Sequence, residues 1–284
     1  MNQQTQLTYQ QTKSKILSKT ELLLENYKNF ASWTVKYNLL KAAIFYLNKN
    51  QKAVYTLLDL ASKKGNDLKK WSNLNIPRVI GIDVSIKQHS EAIIRYKKIR
   101  SQNSAGGPRV SYILGSATDY NLVRRSINFQ KVNLITTNFA LNYFFKDPET
   151  IDMFFKTVSD SLDKGGLFIG TATEDPRSCK ELKTEFYEII LPSGSEPRNS
   201  YQFKIETPFF DNGFITEYVI TRAHLIMSAS KFGLEPVEII TGMRPIFNFH
   251  DYYKQLQEHD KVSQFQQLPM ELVKLYFGFS FIKV

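Results

Sequence analysis

Cysteine and long apolar runs are what this sequence most clearly lacks. Its 284 residues include one cysteine, Cys179, which excludes an internal disulfide and a cysteine-rich zinc site and fits a reducing compartment. No run of about 18 apolar residues occurs, so no membrane-spanning helix is expected. The N-terminal stretch MNQQTQLTYQQTKSK is polar and has no apolar core of the kind that a secretory signal needs.

Phosphate-loop and metal-site patterns are missing as well. The pattern G-x-x-x-x-G-K-[ST] does not occur, which argues against a phosphate-loop nucleotide hydrolase. The four histidines, His89, His224, His250 and His259, are scattered along the chain without the spacing of metal ligands. We therefore expect no metal cofactor.

Negative charge is scarce in the first part of the chain. Residues 1–110 contain 19 Lys and Arg against 6 Asp and Glu, whereas the remainder contains 18 against 21. All of the excess behind the net charge of +10 therefore lies in the first 110 residues. A one-sided basic surface favours a polyanionic partner, nucleic acid first, with a merely solvated lysine-rich surface as the alternative.

Strand and helix patterns alternate through the middle of the chain. Such alternation predicts a mostly parallel sheet with helices on both faces, which binds its ligands beyond the carboxyl ends of the strands. The predicted strands are 54–60, 78–83, 110–114, 132–137 and 167–173, and the predicted helices are 66–74, 85–100 and a hairpin within 138–162 broken near Pro148.

The flanking segments differ from this core, which spans 54–173. Residues 1–15 are rich in Gln and Thr and predict disorder, and residues 16–50 show the apolar spacing of N-terminal helices. Residues 187–220 contain short alternating strands that predict a small antiparallel insertion. We expect a single domain over 1–284, completed by a turn at 163–166, a helix at 221–232, and strands at 235–241 and 274–284.

Four acids stand at or near the predicted strand ends: Asp59, Asp67, Asp83 and Asp119. A carboxylate in the position of Asp83 can accept both hydroxyls of a ribose, and Asp119 can accept the exocyclic amine of an adenine. A helix cap or a turn is the alternative role for each acid taken alone. Their recurrence at successive strand ends favours a nucleoside-containing ligand.

The loop after the first strand, ASKKG, has one glycine, Gly65. Many phosphate-binding loops at this place carry two or three glycines. A cofactor without phosphates, such as S-adenosylmethionine, needs close backbone approach but no anion cradle. The small residues Ala61 and Ser62 permit that approach, though less freely than glycine would.

Three blocks of this sequence resemble the mRNA cap (guanine-N7) methyltransferases. They are LLDLASKKGNDLKKW, VIGIDVSIKQHSEAIIRYKK and ITTNFALNYFFKDPETIDMFFKTVSDSLDKGGLFIGTATE. The family typically shows D-L-G-C-G-K-G-G-D-L-x-K-W, G-x-D-I-S with a downstream R-Y, and Q-F-x-x-H-Y-x-F followed by L-x-x-G-G. The resemblance extends to NLLKAAI, TEYVI and LPMELVKLYFGFSFIK, and it covers roughly residues 30 to 284.

The resemblance implies a class I S-adenosylmethionine-dependent methyltransferase. Its fold would be α/β and Rossmann-like, with a seven-stranded mostly parallel sheet, N-terminal helices and a small antiparallel insertion at the cap pocket. The enzyme would transfer the methyl group of S-adenosylmethionine to N7 of the cap guanine by in-line displacement, without a general base, and release S-adenosylhomocysteine.

The resemblance also assigns residues to the site. Those of the cofactor site would be Lys41, Asp59, Ala61, Asp83, Asp119 and Asn138, with Asp67 supporting the loop. Those of the cap site would be Lys64 and Arg95 at the phosphates, and Asn142, Tyr143, Glu217 and Tyr276 around the guanine. Glu217, Tyr143 and Asn142 are the predicted catalytic residues.

Departures from the family pattern leave two alternatives open. The loop glycines are Ala61 and Lys63 here, the family glutamine is Asn138, and the family histidine is Asn142. The first alternative is another methyltransferase of the same fold, acting on a small molecule or a different RNA position. The second is a catalytically inactive RNA-binding module, which the glycine-poor loop would fit.

The glycine-poor loop is similar to that in enzymes of large cytoplasmic DNA viruses, where this domain often forms part of a longer capping protein. The expected partner is the capped 5′ end of mRNA. Guanylyltransferase or triphosphatase domains of the same capping machinery, or a stimulatory subunit, are further expected partners. This origin favours a cytoplasmic localisation, in the host cell or virion, and a cellular origin would favour the nucleus.

Overall fold

A computed structural model of the chain describes residues 18–102, 107–194, 197–205, 213–258 and 267–284. The disorder predicted for residues 1–15 lies outside the described residues. The α-helices are α1 (Lys19–Asn29), α2 (Tyr37–Lys49), α3 (Leu68–Asn73), α4 (Ile86–Gln102), α5 (Tyr120–Ser126), α6 (Pro148–Ser161), α7 (Arg222–Ser230), α8 (Phe249–Glu258) and α9 (Met270–Lys274). A π-helix (Phe30–Lys36) joins α1 to α2, and 3₁₀ turns cover Leu141–Phe145 and Pro176–Ser178.

The strands form one large sheet and one small sheet. They are β1 (Thr56–Leu60), β2 (Arg78–Asp83), β3 (Arg109–Leu114), β4 (Val132–Asn138), β5 (Leu162–Thr173), β6 (Tyr187–Ile190), β7 (Ser200–Ile205), β8 (Ile215–Tyr218), β9 (Leu234–Pro236), β10 (Ile246–Asn248) and β11 (Tyr276–Lys283). The large sheet runs β10-β11-β5-β4-β1-β2-β3, and the small one runs β6-β7-β8.

The large sheet has eight strands, where seven were predicted. Strands β1 to β5 pair in parallel, and β11 runs antiparallel to β5. The additional strand arises because β5 pairs with one edge of β11, while β9 and β10 pair with two different parts of its other edge. The sheet therefore has seven strand positions, and the predicted mostly parallel α/β fold is confirmed.

Residues of the parallel strands alternate between two apolar layers. Leu57, Val79 and Leu134 face the N-terminal helices, whereas Leu58 and Ile80 face the layer that contains α5 and α6. Alternation follows from the two-residue period of a strand. Because helices cover both faces, the central strands β1, β2 and β4 are largely buried, which explains why their positions could be predicted. Strand β3, at the edge of the sheet, is exposed or half-buried along its length.

Chain direction around the sheet reverses between β1 and β4. From β1 the chain proceeds outward to β2 and β3, and then returns to β4 on the other side of β1. Leu60 pairs with both Ile82 and Thr137, so the carboxyl ends of β1, β2 and β4 lie side by side. In open α/β sheets the crevice outside such a switch point is where ligands bind.

The small sheet occupies the predicted antiparallel insertion. Strands β6, β7 and β8 pair antiparallel, and Tyr201 of β7 stands opposite Glu217 of β8. Two expectations near it are wrong. Residues 163–166 bulge within β5 rather than turning the chain, with Gly165 at φ +74°, and the strand at 235–241 is limited to β9.

Helix α8 was not predicted from the sequence. It buries Phe249, Tyr252 and Tyr253, the i, i+3, i+4 spacing of an amphipathic helix. Phe249 stacks on Tyr276 with 5.9 Å between ring centroids, so α8 supports the beginning of β11. In the part of the chain that the structure describes, every helix is too short or too polar to span a bilayer.

Candidate active site

The loop after β1 has an unusual backbone. Ala61, Lys63 and Gly65 have φ values of +59°, +51° and +64°, in the left-handed region that glycine adopts readily. A side chain there costs about 1–2 kcal/mol. Two of the three positions are those where the family pattern has glycine and this chain has Ala61 and Lys63, so these two side chains stand at strained backbone positions.

The glycines that remain stand where a side chain would collide. A Cβ on Gly65 would overlap the hydroxyl group of Tyr112, and a Cβ on Gly81 would lie 2.8 Å from the Ser62 Oγ atom. Tyr112 and Ser62 thus pack directly against backbone. The loop is closely packed on β2 and β3 despite its low glycine content.

Asp83 connects the end of β2 to this loop. Its Oδ2 accepts a hydrogen bond from the Lys63 backbone N–H at 2.8 Å, and its Oδ1 accepts one from the Ser85 N–H at 2.9 Å. Each carboxylate oxygen has two lone pairs, so one on each oxygen remains for another donor. A pair of vicinal hydroxyl groups, as in a ribose, fits that remaining capacity.

Asp67 is held between two lysines. Its carboxylate lies 2.6 Å from the Lys36 Nζ and 2.8 Å from the Lys70 Nζ. These two cations hold the pKa of Asp67 at about 2, against the opposing effect of burial. Lys70 also donates to the Ser32 hydroxyl at 2.8 Å and lies 4.5 Å from the Trp33 ring centroid. Two buried cations share one carboxylate, so this corner has an excess positive charge for an anionic ligand group.

Lys36, and not Lys41, is the lysine of this corner. Lys36 ends the π-helix, whose wider turn changes which side chains face inward. Lys41 lies five residues further along, on the exposed face of α2. The cofactor role that the resemblance implied for Lys41 therefore does not agree with the structure. The apolar spacing of 16–50 indicated a helix but could not reveal its π-helical turn.

The remaining predicted cofactor residues have mixed positions. Asp59 is buried, and its carboxylate accepts from the Thr136 hydroxyl at 2.6 Å. Burial, with Asp67 nearby, raises its pKa to about 7. Asn138 lies at the end of β4 and lines a small cavity with Lys36, Asp67 and Thr136.

Asp119 is an exposed N-cap of α5. Its Oδ1 accepts from the Leu122 N–H at 2.9 Å. The cap that sequence reasoning held as an alternative is therefore present. The second carboxylate oxygen has no such role in the cap, so the adenine assignment stays a prediction.

Glu217 is the central group of the second half of the site. It is buried, and its Oε2 accepts from the Tyr201 hydroxyl at 2.7 Å. Burial raises its pKa, while hydroxyl groups of Tyr201 and Thr173 and the charge of Lys63 oppose the rise. Tyr143 lies on the 3₁₀ turn after β4. Burial raises the pKa of the Tyr143 phenol, and the nearby charge of Glu217 raises it further.

The two tyrosines of the predicted guanine pocket differ in exposure. Tyr143 is 37 % exposed, whereas Tyr276 is 4 % exposed. The ring of Tyr276 packs edge-on against Phe139, with centroids 5.3 Å apart. Tyr143 can therefore offer a ring face to a ligand. The buried Tyr276 ring instead packs behind the pocket, against Phe139.

Asn142 is not positioned as a catalytic group. It is 1 % exposed, its amide nitrogen donates to the carbonyl oxygens of Thr173 and Tyr218 at 3.2 and 3.1 Å, and its oxygen accepts from the Thr173 N–H at 3.0 Å. These bonds give Asn142 a structural role, and its predicted place beside the guanine stays a prediction. Asn142 ties β5 to β8, and so positions the neighbouring Glu217.

The predicted phosphate ligands lie on the outer side of the loop. Lys64 forms a partly exposed ion pair with Glu91 at 3.2 Å. Arg95 is exposed one turn further along α4. Among the described residues, no group of three or more His, Cys, Asp or Glu side chains could hold a metal ion.

Lys63, Phe139 and Tyr201 belong to the site although sequence reasoning did not assign them to it. The Lys63 Nζ donates to the Phe139 carbonyl oxygen at 3.0 Å, and Phe139 has a φ of +53°. Phe139 lies within the third block that resembles the family, but the family pattern gave it no role in the site. No sequence signal identified Tyr201, because its contact with Glu217 depends on strand pairing.

The sheet order and the crevice at its switch point are those of the S-adenosylmethionine-dependent methyltransferase fold. A methyltransferase of this kind from Clostridium acetobutylicum has a TM-score of 0.56 at 17% identity, covering 91% of this chain and 96% of that one. The CcbJ methyltransferase of Streptomyces caelestis has a TM-score of 0.53 at 13% identity, covering 88% and 96%. At these identities the likeness concerns the fold alone.

Sequence relatives define the family within that fold. The family model of the mRNA (guanine-N(7))-methyltransferase domain matches residues 2–275, so the chain belongs to this family, as the resemblance implied. The mRNA cap guanine-N(7) methyltransferase of Drosophila melanogaster is 24% identical over 258 residues, 82% of this chain and 57% of the relative. That of Saccharomyces cerevisiae is 26% identical over 237 residues, 75% and 51%.

A third relative is similar over a shorter stretch. The mRNA cap guanine-N(7) methyltransferase of Caenorhabditis elegans is 33% identical over 150 residues, 53% of this chain and 39% of the relative. The chain thus spans about half the length of the curated relatives it matches. The predicted viral origin stays a prediction.

Proposed function

We propose that this chain methylates N7 of the guanine in the mRNA cap, with S-adenosylmethionine as methyl donor. The observation that carries the proposal is Glu217, a buried carboxylate fixed by Tyr201 beside the carboxyl edge of a methyltransferase sheet. Among the residues that the structure describes, no lysine, arginine or histidine forms an ion pair with Glu217, and a buried acid in that state is costly. A ligand that supplies hydrogen-bond donors would relieve that cost.

The residues at the switch point fit S-adenosylmethionine. Asp83 has spare acceptor capacity for two ribose hydroxyls, and the Lys36–Asp67–Lys70 corner has an excess positive charge for a carboxylate. Asp119 retains one oxygen for an adenine amine. When bound, this cofactor supplies an electrophilic methyl group on a sulfonium.

Glu217 suits guanine as the methyl acceptor. Its carboxylate can accept from N1–H and from the 2-amino group together, while the partly exposed ring of Tyr143 offers a face for stacking. Adenine presents no such pair of donors on its Watson–Crick edge, so Glu217 would also select the base. Tyr201 and Asn142 would keep Glu217 in position.

The protein would act by positioning and by its electric field. Guanine N7 has its own lone pair, so the site needs no general base. Proximity and orientation contribute about 7–11 kcal/mol in well-aligned reactions. The negative charge of Glu217 would stabilise the positive charge that the purine gains, in a site where burial strengthens such interactions.

The substrate phosphates, the protein partners and the cellular localisation are further parts of the proposal. Lys64 and Arg95 would contact the cap phosphates, and Lys64 would exchange its partly exposed Glu91 partner for a phosphate. The capped 5′ end of mRNA is the proposed substrate. Other capping domains, a stimulatory subunit and a cytoplasmic localisation stay predictions.

A turnover assay with three acceptors tests the proposal. The chain is incubated with S-adenosylmethionine that carries a labelled methyl group and with GpppRNA, ApppRNA or pppRNA. We expect label only with GpppRNA, recovered as 7-methylguanosine after digestion. Label at another position, or transfer to pppRNA, would indicate another RNA methyltransferase. Cofactor binding without transfer to any acceptor would indicate an inactive module.

A further inference from the structure

The side chain of Lys63 crosses the crevice in which a cofactor would bind. Its backbone belongs to the loop after β1, and its Nζ donates to the carbonyl oxygen of Phe139 just beyond β4 at 3.0 Å. Strands β1 and β4 are the neighbours between which the sheet reverses direction. The Lys63 side chain therefore bridges the switch point itself.

Charges from both halves of the site surround this ammonium group. Asp83 and Asp67 approach from the cofactor side and Glu217 from the guanine side, and all three favour the charged form of Lys63. Burial is the largest influence and lowers the pKa of Lys63, and the charge of Lys36 lowers it further. The net shift is downward, so the position holds the charged form of Lys63 poorly in spite of the three carboxylates.

Lys63 is poorly accommodated for a residue in so central a position. Its φ of +51° favours glycine, and its ammonium has a neutral carbonyl as hydrogen-bond acceptor. Asp67 is already paired with Lys36 and Lys70, and Glu217 with Tyr201. The contact that holds Lys63 across the crevice is therefore one that a better ligand can replace.

We propose that Lys63 is a tethered competitor of the cofactor, which occupies the switch-point crevice through its Phe139 contact and is displaced when S-adenosylmethionine binds. This inference rests on the proposed function. The cofactor carries a sulfonium and an ammonium, so it would bring positive charge of its own into the crevice that Lys63 crosses. Lys63 would thus lower cofactor affinity and make occupation of the site depend on cofactor concentration.

Calorimetric titration of S-adenosylhomocysteine and S-adenosylmethionine into the wild type and three variants tests this. Lys63→Ala keeps a side chain at the left-handed position but removes the ammonium, and we expect about tenfold tighter binding of both ligands. Lys63→Met keeps the length without the donor, and we expect an intermediate affinity. Lys69→Ala, which removes an exposed lysine from neighbouring α3, is the matched control and should bind as the wild type does.

Lys63→Gly separates competition from loop strain. Glycine removes the ammonium and relieves the positive φ, so its melting temperature should rise, while its cofactor affinity should match that of Lys63→Ala. Tighter binding in Lys63→Gly alone would trace the effect to strain and overturn the proposal. Unchanged binding in Lys63→Ala or Lys63→Met would overturn it too. Weaker binding would make Lys63 a cofactor ligand instead.

Methyl transfer to GpppRNA is measured on the same proteins as a separate readout. Tighter cofactor binding in the Lys63 variants without transfer by any protein would contradict the proposed function and support the competitor. Transfer by the wild type with no change of affinity among the variants would contradict the competitor and leave the proposed function standing.

Discussion

Asp67 and Glu217 are carboxylates on two sides of Lys63, and burial acts on both, yet their pKa values move in opposite directions. Asp67 has two lysine partners and a pKa of about 2. Glu217 has hydroxyl partners, and burial raises its pKa. The difference shows that the partner, rather than the depth of burial, decides the direction in which the pKa of each acid shifts.

The two surroundings suit different tasks. A carboxylate that is ionised at every physiological pH can hold Lys36 and Lys70 in place, which is what the cofactor half needs. A carboxylate held by neutral hydroxyls keeps unspent capacity to accept from a ligand, which is what the guanine half needs. The cofactor half is therefore an electrostatic framework, and the guanine half is a pocket that becomes satisfied on binding.

The largest expected effect comes from Glu217→Gln. Glutamine can still accept from the Tyr201 hydroxyl, but it lacks the charge that stabilises the methylated purine. We expect turnover to fall about 1000-fold, or about 4 kcal/mol, with unchanged affinity for S-adenosylhomocysteine by calorimetry. Glu188→Gln on the same small sheet is the control and should keep its turnover. Full activity of Glu217→Gln would mean that Glu217 does not form the guanine pocket.

Asp67→Asn tests the framework on the other side. The change leaves Lys36 and Lys70 without their carboxylate, which should lower the free energy of unfolding by about 3 kcal/mol at pH 7. Because the folded pKa is depressed to about 2 from 3.8, the difference from wild type should shrink as the pH falls through that window. Urea unfolding at several pH values measures it.

Asp160→Asn provides the control for that series. It removes an exposed i, i+4 partner of Lys156, and exposed pairs contribute little, so no measurable change is expected. An equally small effect of Asp67→Asn would mean that Lys36 and Lys70 need no carboxylate. Asp67 would then not be the electrostatic framework that distinguishes the cofactor half from the Glu217 half.

Asp59→Asn tests how a third buried carboxylate affects the pH dependence of stability. The folded pKa of Asp59 is raised from 3.8 to about 7, so the folded state binds more protons than the unfolded state between those values. The free energy of unfolding should therefore fall as the pH rises through this window, by at most about 1.4 kcal/mol per unit. Asp59→Asn should remove that slope in urea unfolding, and a slope that persists would assign it to another group.

Ala61→Gly has the smallest expected effect. It relieves a side chain at φ +59° but increases the freedom of the unfolded chain, so we expect a gain of about 0.5 kcal/mol in unfolding free energy. Ala42→Gly within α2 should instead cost about 1 kcal/mol. Destabilisation by both changes would contradict the left-handed backbone of the loop.

Sequence reasoning succeeded where local pattern and position decide the structure. The central parallel strands could be predicted because both of their faces are largely buried, and Asp83 could be placed because it is the last residue of one of them. It failed where the geometry depends on partners far away in the chain. The π-helical turn exchanged Lys41 for Lys36, and strand pairing placed Tyr201 beside Glu217.

The role of Asn142 shows the same limit. Its position in a family motif predicted contact with the guanine, but the backbone groups of Thr173 and Tyr218 use its amide. A motif can identify a residue that matters without showing whether it faces the ligand or stands behind it. In the loop, by contrast, Ala61 and Lys63 differ from the family pattern in side chain and have the left-handed φ that glycine adopts readily.

Titration of S-adenosylhomocysteine into the wild-type chain tests the central claim most directly, because every assignment depends on a glycine-poor loop that still binds the cofactor. We expect saturable binding with a Kd of about 1–100 μM, lost in Asp83→Ala and retained in Glu217→Gln. Absence of binding at millimolar ligand, in a protein that unfolds cooperatively, would mean that the loop after β1 does not form a cofactor site.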